Sequence, residues 1–319
     1  MSYPLFAILA ASTAGAAILA GDPAPVTPTQ DSYAALSPDG KTLLFQSNRT
    51  GRTALFKADP DGKNLRVFLD SGDDPSVAVW SPDGRRIAFV ANVAGNDTEI
   101  FVMDADGANR RRLTEQAGDD SHPHWSADGA RIFFNSGRAT PDPKADWAQQ
   151  WHNIFSMRAD GSDLRRHTQC RTICTYPVPS PDGTRIAFRR MVDVPGFNWA
   201  LTAVPRNSEV VVTNLDGSNE VNLSKSAAYD GWPMWSPDGG WVAFSSNRTG
   251  RPNAGQLFLI RPDGTDLRQV TDSSASYTQH SWTPDGKSLY ATRTWEALDW
   301  SWEHGHITRV PIEMPAPQP

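Results

Sequence analysis

Six times along the chain a polar turn is followed by a run of apolar residues. The turn reads Ser-Pro-Asp-Gly at Ser37–Gly40, Ser81–Gly84, Ser180–Gly183 and Ser236–Gly239, with variants at Ser126–Gly129 and Thr283–Gly286. The third residue after the glycine is Leu43, Ile87, Ile132, Ile186, Val242 or Leu289. The fifth is Phe45, Phe89, Phe134, Phe188 or Phe244, with Ala291 breaking the series. The residue between is apolar as well: Leu44, Ala88, Phe133, Ala187, Ala243 and Tyr290. A short run that is apolar on both sides predicts a strand buried on both faces. In the turn itself, proline presets φ, aspartate bonds its own backbone, and glycine takes the positive φ that closes the loop. The Ser and Asp of the motif are therefore turn residues, not a nucleophile and a base.

A third strand is predicted at Ala54–Ala58, Ile100–Asp104, Ile154–Arg158, Val210–Asn214, Leu257–Arg261 and Ile307–Val310. In the first five repeats it ends in a second turn, such as Asp104–Gly107 or Arg261–Gly264. A polar fourth strand follows, as in Asn109–Thr114 and Asp266–Thr271, with the alternation of a half-wet outer strand. Each repeat thus holds four strands, and the turns recur every 44–56 residues. That period and strand count match the blade of a β-propeller, whose inner strands are pressed between neighbouring blades. The expected fold is all-β: six blades of four antiparallel strands, starting near residues 31, 76, 121, 175, 231 and 277. The sixth repeat lacks its outer strand, because only Pro311–Pro319 remain after Val310. Val26–Gln30, ahead of the first repeat, is expected to supply that strand and close the ring. Its proline suits an edge, where a missing N–H is harmless.

Composition agrees with many turns and short strands, with 24 glycines, 25 prolines and 12 tryptophans in 319 residues. The net charge of −6 argues against nucleic acid as a partner, because displacing counterions from phosphates needs a basic surface. Pro4–Ala20 carries no charge and is almost wholly apolar or small. At that length it reads as a signal peptide cleaved after about residue 21, not as a spanning helix. No later segment is long and apolar enough to span. The propeller then covers 22–312 and a tail 313–319, in a periplasmic or secreted, monomeric protein. Cys170 and Cys174, the two cysteines, are expected to form a small disulfide of an oxidising compartment.

The repeat W-S-P-D-G-x-x-I-A-F…I-F-V-M-D-A-D-G-x-N, clearest in Trp80–Thr114 and Trp235–Thr271, resembles the WD-like propeller repeat of the TolB family. The resemblance covers about residues 31–310. It implies the propeller fold and says less about function, since similar repeats occur in propellers appended to peptidases and in lyases. The family's namesake carries an α/β domain before its propeller, for which the chain leaves no room ahead of the first repeat. The namesake's role in the Tol–Pal envelope system is not carried across.

By analogy with such propellers, the loops between blades and the loops joining second to third strands share one face. The latter are long at Gly137–His152, Arg190–Ser208 and Arg293–Gly305. They hold Trp147, Trp151, Trp199, Trp295, Trp300 and Trp302, whereas Trp80, Trp125, Trp235 and Trp282 share one core position. Loop tryptophans at this density suit a peptide anchor or a stacked sugar. Three residues before the core position stand Tyr33, Val77, His122, Tyr176, Trp232 and Gln279, which should line the mouth of the central channel. Asp120, Asp230 and His280 are expected to converge there with His122 and Trp232. No G-x-S-x-G elbow, H-E-x-x-H, P-loop or dinucleotide fingerprint is present, so neither a cofactor nor a metal is called for. The leading expectation is a non-catalytic binding or scaffold propeller for a protein or peptide. The alternative is a carbohydrate-active or metal-assisted enzyme, of lyase or hydrolase type, with chemistry around His122, His280 and Asp230.

Overall fold

In the computed structural model the six apolar runs are the second strands of six antiparallel sheets. The structure describes residues 29–93, 97–116, 118–142, 150–192, 207–250, 255–294 and 305–313. Five sheets have four strands in chain order. The first strands are Asp31–Leu36, Ser76–Trp80, Asp120–Trp125, Cys174–Pro179 and Asp230–Trp235. The sixth sheet has three strands among the described residues, Ser276–Trp282, Ser288–Thr294 and Gly305–Pro311. The architecture is a six-bladed β-propeller. Of the segment expected to complete blade six, residues 26–28 lie outside the described residues, and Gln30 makes a parallel bridge to Gly305. The same bridge joins His152 to Ile173 and Ser208 to Tyr229 between successive blades. Blades six and one therefore meet as other neighbours do, and Ser281 Oγ reinforces the seam by donating to the Ala34 carbonyl at 2.5 Å.

The outer strands are shorter than the sequence suggests. Arg111–Arg112 and Arg268–Gln269 replace the expected Asn109–Thr114 and Asp266–Thr271. An edge strand has a ladder on one side only, and here Asn109 and Asp266 take left-handed φ values of 53° and 54° that bend the chain out of pairing.

Phe45, Phe89, Phe134, Phe188 and Phe244 are fully buried, as are the residues that precede them in the chain. A strand apolar on both sides serves two interfaces at once. The repeated tryptophans do more than fill space. Trp125 Nε1 donates to Val79 O at 3.3 Å, Trp235 to Val178 O at 3.0 Å, and Trp282 to Met234 O at 3.1 Å. Trp80 reaches Ala35 O in the same way. Each indole thus pins its blade to the one before it while satisfying its only polar atom. The turn serines are occupied as read: Ser180 Oγ donates to Asp182 Oδ1 at 2.5 Å and accepts from Arg185 N at 2.9 Å.

Cys170 and Cys174 are bonded, with an S–S distance of 1.99 Å, where the chain leaves blade three and enters blade four. The loop is short, so its closure limits the unfolded chain modestly. Reduction, or replacement of both cysteines by serine, is expected to lower stability by about 2 kcal/mol without unfolding the ring. Urea denaturation with and without reductant checks this; a loss of cooperative folding would contradict it.

Candidate functional site: a ring of six left-handed residues around the axis

Every first strand carries the same irregularity. Its register against the second strand slips once, between Ser32 and Ala35 in blade one and between Gly231 and Met234 in blade five, with equivalents in the other four. One residue at each bulge has a left-handed backbone: Tyr33 (φ 52°), Val77 (47°), His122 (54°), Tyr176 (56°), Trp232 (50°) and Gln279 (49°). These are the six residues the repeat alignment placed at the channel mouth. None is glycine, and a β-branched valine in this region is a true outlier. Strain of this kind amounts to about 1–3 kcal/mol per residue and persists only where the surrounding structure over-determines it.

The bulge turns all six side chains to one place. Together they line a single small cavity of about 70 Å³, which only the common axis of six blades allows. The residues just beyond them, including Val79, His124, Val178, Met234 and His280, form the rest of the wall. The rings close on each other: His122 and Tyr176 centroids lie 4.0 Å apart, Tyr33 and His122 6.3 Å, Tyr176 and Trp232 5.6 Å.

Behind this ring stands a second layer, from the second strands. Opposite the residue preceding each bulge lie Gln46, Val90, Asn135, Arg189, Ser245 and Thr292. Gln46 Oε1 accepts from Val77 N at 2.8 Å, and Asn135 Oδ1 accepts from Tyr176 N at 3.3 Å while meeting His122 Nδ1 at 2.9 Å. Ser245 Oγ donates to Tyr277 O at 2.6 Å. Neutral side chains thus hold one blade's bulge against the next. Blade four differs. Arg189 Nε donates to Thr175 Oγ1 at 3.0 Å and Nη1 to the Tyr229 hydroxyl at 2.9 Å. Its guanidinium carbon sits 4.6 Å from the Tyr176 ring centroid. Arg189 and Tyr229 were not read from the sequence. Aligning the repeats one residue past the buried phenylalanine would have exposed the arginine among Gln, Val, Asn, Ser and Thr.

Tyr33, His122, Tyr176, Trp232 and His280 all line the axial cavity. Asp120 and Asp230 do not, and their assignment to the axis is corrected here. Each is fully buried in an ion pair eighteen residues on: Asp120 with Arg138 at 2.5 Å and Asp230 with Arg248 at 2.9 Å, as Asp31 pairs with Arg49 at 2.7 Å. The arginines lie against their own blade's phenylalanines, Arg138 5.4 Å from the Phe134 centroid and Arg248 5.1 Å from that of Phe244. The carboxylates therefore serve packing within blades three and five. Burial pushes Asp120 up to about 7 and Asp230 up to about 6, against the opposing pull of their arginines. Trp151 is half-buried, its amide donating to Thr140 Oγ1 at 2.9 Å, and it does not line the axial cavity. Trp147, Trp199, Trp300 and Trp302 lie outside the described residues.

Burial holds the axial imidazoles neutral, pushing His122 down to about 3 and His280 to about 4. A histidine whose folded pKa is depressed stabilises the native state least in acid: that state binds fewer protons than the unfolded chain below about 6.5. Stability is therefore lost as pH falls from about 6.5 towards 4. Between pH 7 and 5 the parent should lose about 2 kcal/mol more than His280→Gln, which cannot take up this proton. Paired denaturation curves at the two pH values check it. Equal losses would mean that folding leaves the proton uptake of His280 unchanged. Among the described residues no group of three or more His, Cys, Asp or Glu side chains is placed to hold a metal ion.

These features define a six-bladed propeller with a strained, aromatic-walled axial site. The model of the TolB β-propeller domain matches residues 71–192 and 198–300, and the chain belongs to that family. It is 26% identical over 359 aligned positions to dipeptidyl-peptidase 5 of Porphyromonas gingivalis, covering 95% of this chain and 52% of that one. The chain thus spans about half the length of that relative, and a smaller share of the other curated relatives it matches. A structure from Agrobacterium tumefaciens assigned to TolB superposes with a TM-score of 0.65 at 22% identity, over 90% of this chain and 92% of that one. An oligogalacturonate lyase in complex with manganese superposes with a TM-score of 0.60 at 14% identity, over 90% and 91% of the two chains. Both structural likenesses concern the fold alone.

Proposed function

We propose that this chain is an exported, non-catalytic binding propeller that receives a protein or peptide at the aromatic mouth of its axial channel. The observation that carries the reading is the ring of six left-handed residues. Six strained non-glycine positions, one at each bulge, aim their side chains at one cavity. A rigid ring of this kind binds without ordering its own side chains, which keeps the entropic cost of association low. Aromatic residues dominate it, as they dominate anchor sites at interfaces. The Cys170–Cys174 bond supports export, since such bonds persist in oxidising compartments. No helix among the described residues is long and apolar enough to cross a membrane.

The enzyme reading draws on the peptidase and lyase likenesses. The site itself argues the other way: the two carboxylates it would use are tied to Arg138 and Arg248, and its histidines are neutral and enclosed. Affinity purification from envelope extract, with parent protein and a folded His122→Ala/Gln279→Ala variant as baits, tests the proposal. A protein held by the parent, lost by the variant and rebinding in purified form supports it. Turnover of peptides or oligogalacturonate that disappears in the variant would replace it with the enzyme reading.

A further inference from the structure

The size and the wall of the axial cavity limit what can enter it. It measures about 70 Å³, and all fourteen residues that line it are among the described residues. An apolar protein cavity that holds a benzene ring measures about 150 Å³. A space half that size excludes an aromatic ring or a pyranose and admits a branched aliphatic group. The wall also offers no charge. It contains no Asp, Glu, Lys or Arg, and burial keeps His122, His124 and His280 neutral. A carboxylate or an ammonium entering it would give up its water without gaining a counterion.

Gln279 brings an unsatisfied acceptor into this apolar wall. It is 8% exposed, and its Oε1 is buried without a hydrogen-bond partner among the described residues. Other polar members of the ring are engaged with their neighbours. His122 Nδ1 meets Asn135 Oδ1 at 2.9 Å, and the Tyr33 hydroxyl meets the side chains of Trp232 and Tyr176. A buried amide oxygen without a donor is unfavourable. Packing alone does not call for it, since blade two carries the apolar Val77 at the equivalent position with the same left-handed backbone. The amide of Gln279 is therefore placed to receive a donor that arrives with a ligand.

We infer that the axial cavity takes one aliphatic side chain of a bound peptide, and that Gln279 Oε1 accepts the backbone N–H of that same residue. A leucine-like residue supplies both parts at once, a neutral branched group and a donor a short distance from it. The aromatic rings then enclose an aliphatic group instead of stacking on a flat one. A sugar acid fits neither the volume nor the uncharged wall. The inference rests on the binding role proposed above and names the kind of residue that anchors the partner.

The test titrates the parent protein with acetyl-Gly-Leu-Gly-amide and with its phenylalanine and N-methyl-leucine counterparts, followed by NMR. The leucine peptide should bind more tightly than the phenylalanine peptide by about tenfold or more, because the larger ring overfills the space. Methylating the leucine nitrogen should weaken binding by about tenfold, the effect of leaving a buried acceptor without its donor. Gln279→Leu should lose a similar factor for the leucine peptide and be indifferent to the methyl group, since the two changes remove the same bond. Val77→Ala enlarges the cavity and takes a β-branched residue out of a left-handed backbone, so it should fold and should narrow the gap between leucine and phenylalanine. No response to the leucine peptide, tighter binding of the phenylalanine peptide, or equal binding of the methylated peptide overturns the inference, and these readings need only the parent protein. So does a preference for the unmethylated peptide that survives in Gln279→Leu. A galacturonate probe that binds where the leucine peptide does not would overturn the peptide assignment. A protein partner lost by His122→Ala/Gln279→Ala but held undiminished by Gln279→Leu would remove the anchor while the binding role stands.

Discussion

Replacing Asp230 with alanine is expected to lower the unfolding free energy by about 3–5 kcal/mol, because it strands the Arg248 guanidinium inside blade five. Asp230 is fully buried and the Arg248 side chain is 15% exposed. Arg248 also receives support from Ser246 Oγ at 2.9 Å and the Ser224 carbonyl at 3.2 Å, neutral partners that do not cancel its charge. Removing both charges should restore most of the loss: Asp230→Leu/Arg248→Leu is expected within about 1–2 kcal/mol of the parent, since apolar replacements of a buried pair are often tolerated. Urea denaturation of the single and double variants decides it. A single-variant loss below about 1 kcal/mol would mean that water reaches Arg248 and that the pair is peripheral. The comparison also tests the reassignment of Asp230, because a structural ion pair moves stability whereas a ligand-facing carboxylate would move binding.

The second large effect falls on the seam between blades six and one. Tyr290→Ala should cost about 3–5 kcal/mol, the range for deleting a buried aromatic side chain. Tyr290 is 1% exposed and packs in the cluster that holds Leu43, Phe45 and Phe56 of blade one with Ile307 of blade six. Its hydroxyl donates to the Pro60 carbonyl at 3.1 Å. Tyr290→Phe keeps the packing and should lose only about 1 kcal/mol. If both variants lose the same small amount, the seam is held elsewhere, by the Gln30–Gly305 bridge and the residues around it.

Both predictions show where the sequence was readable and where it was not. The buried pattern of Leu43-Leu44-Phe45 and its five copies is a local signal, since a strand enclosed on both sides must be apolar on both sides. The turn chemistry of Ser-Pro-Asp-Gly is local too. Asp230 misled because its carboxylate was placed by counting along the strand. The count omits the bulge at Trp232 and the arginine eighteen residues away. The outer strands were overdrawn because a left-handed Asn109 or Asp266 is invisible in an alternating polar pattern.

The sequence by itself determined the number of blades, the double burial of their second strands and the six positions that face the axis. All of these follow from residue type repeated at a steady period. Only the tertiary structure decided which way those positions turn, which aspartates leave the axis for an arginine, and which arginine is left without a carboxylate among the described residues. Those outcomes depend on contacts between residues far apart in the chain, where the bulge angle and the neighbouring blade set the direction of each side chain. Arg189 is the clearest instance. In the chain it is one basic residue beside another, and only the layer behind the axial ring shows it as the charged residue at a position that the other five blades fill with neutral side chains.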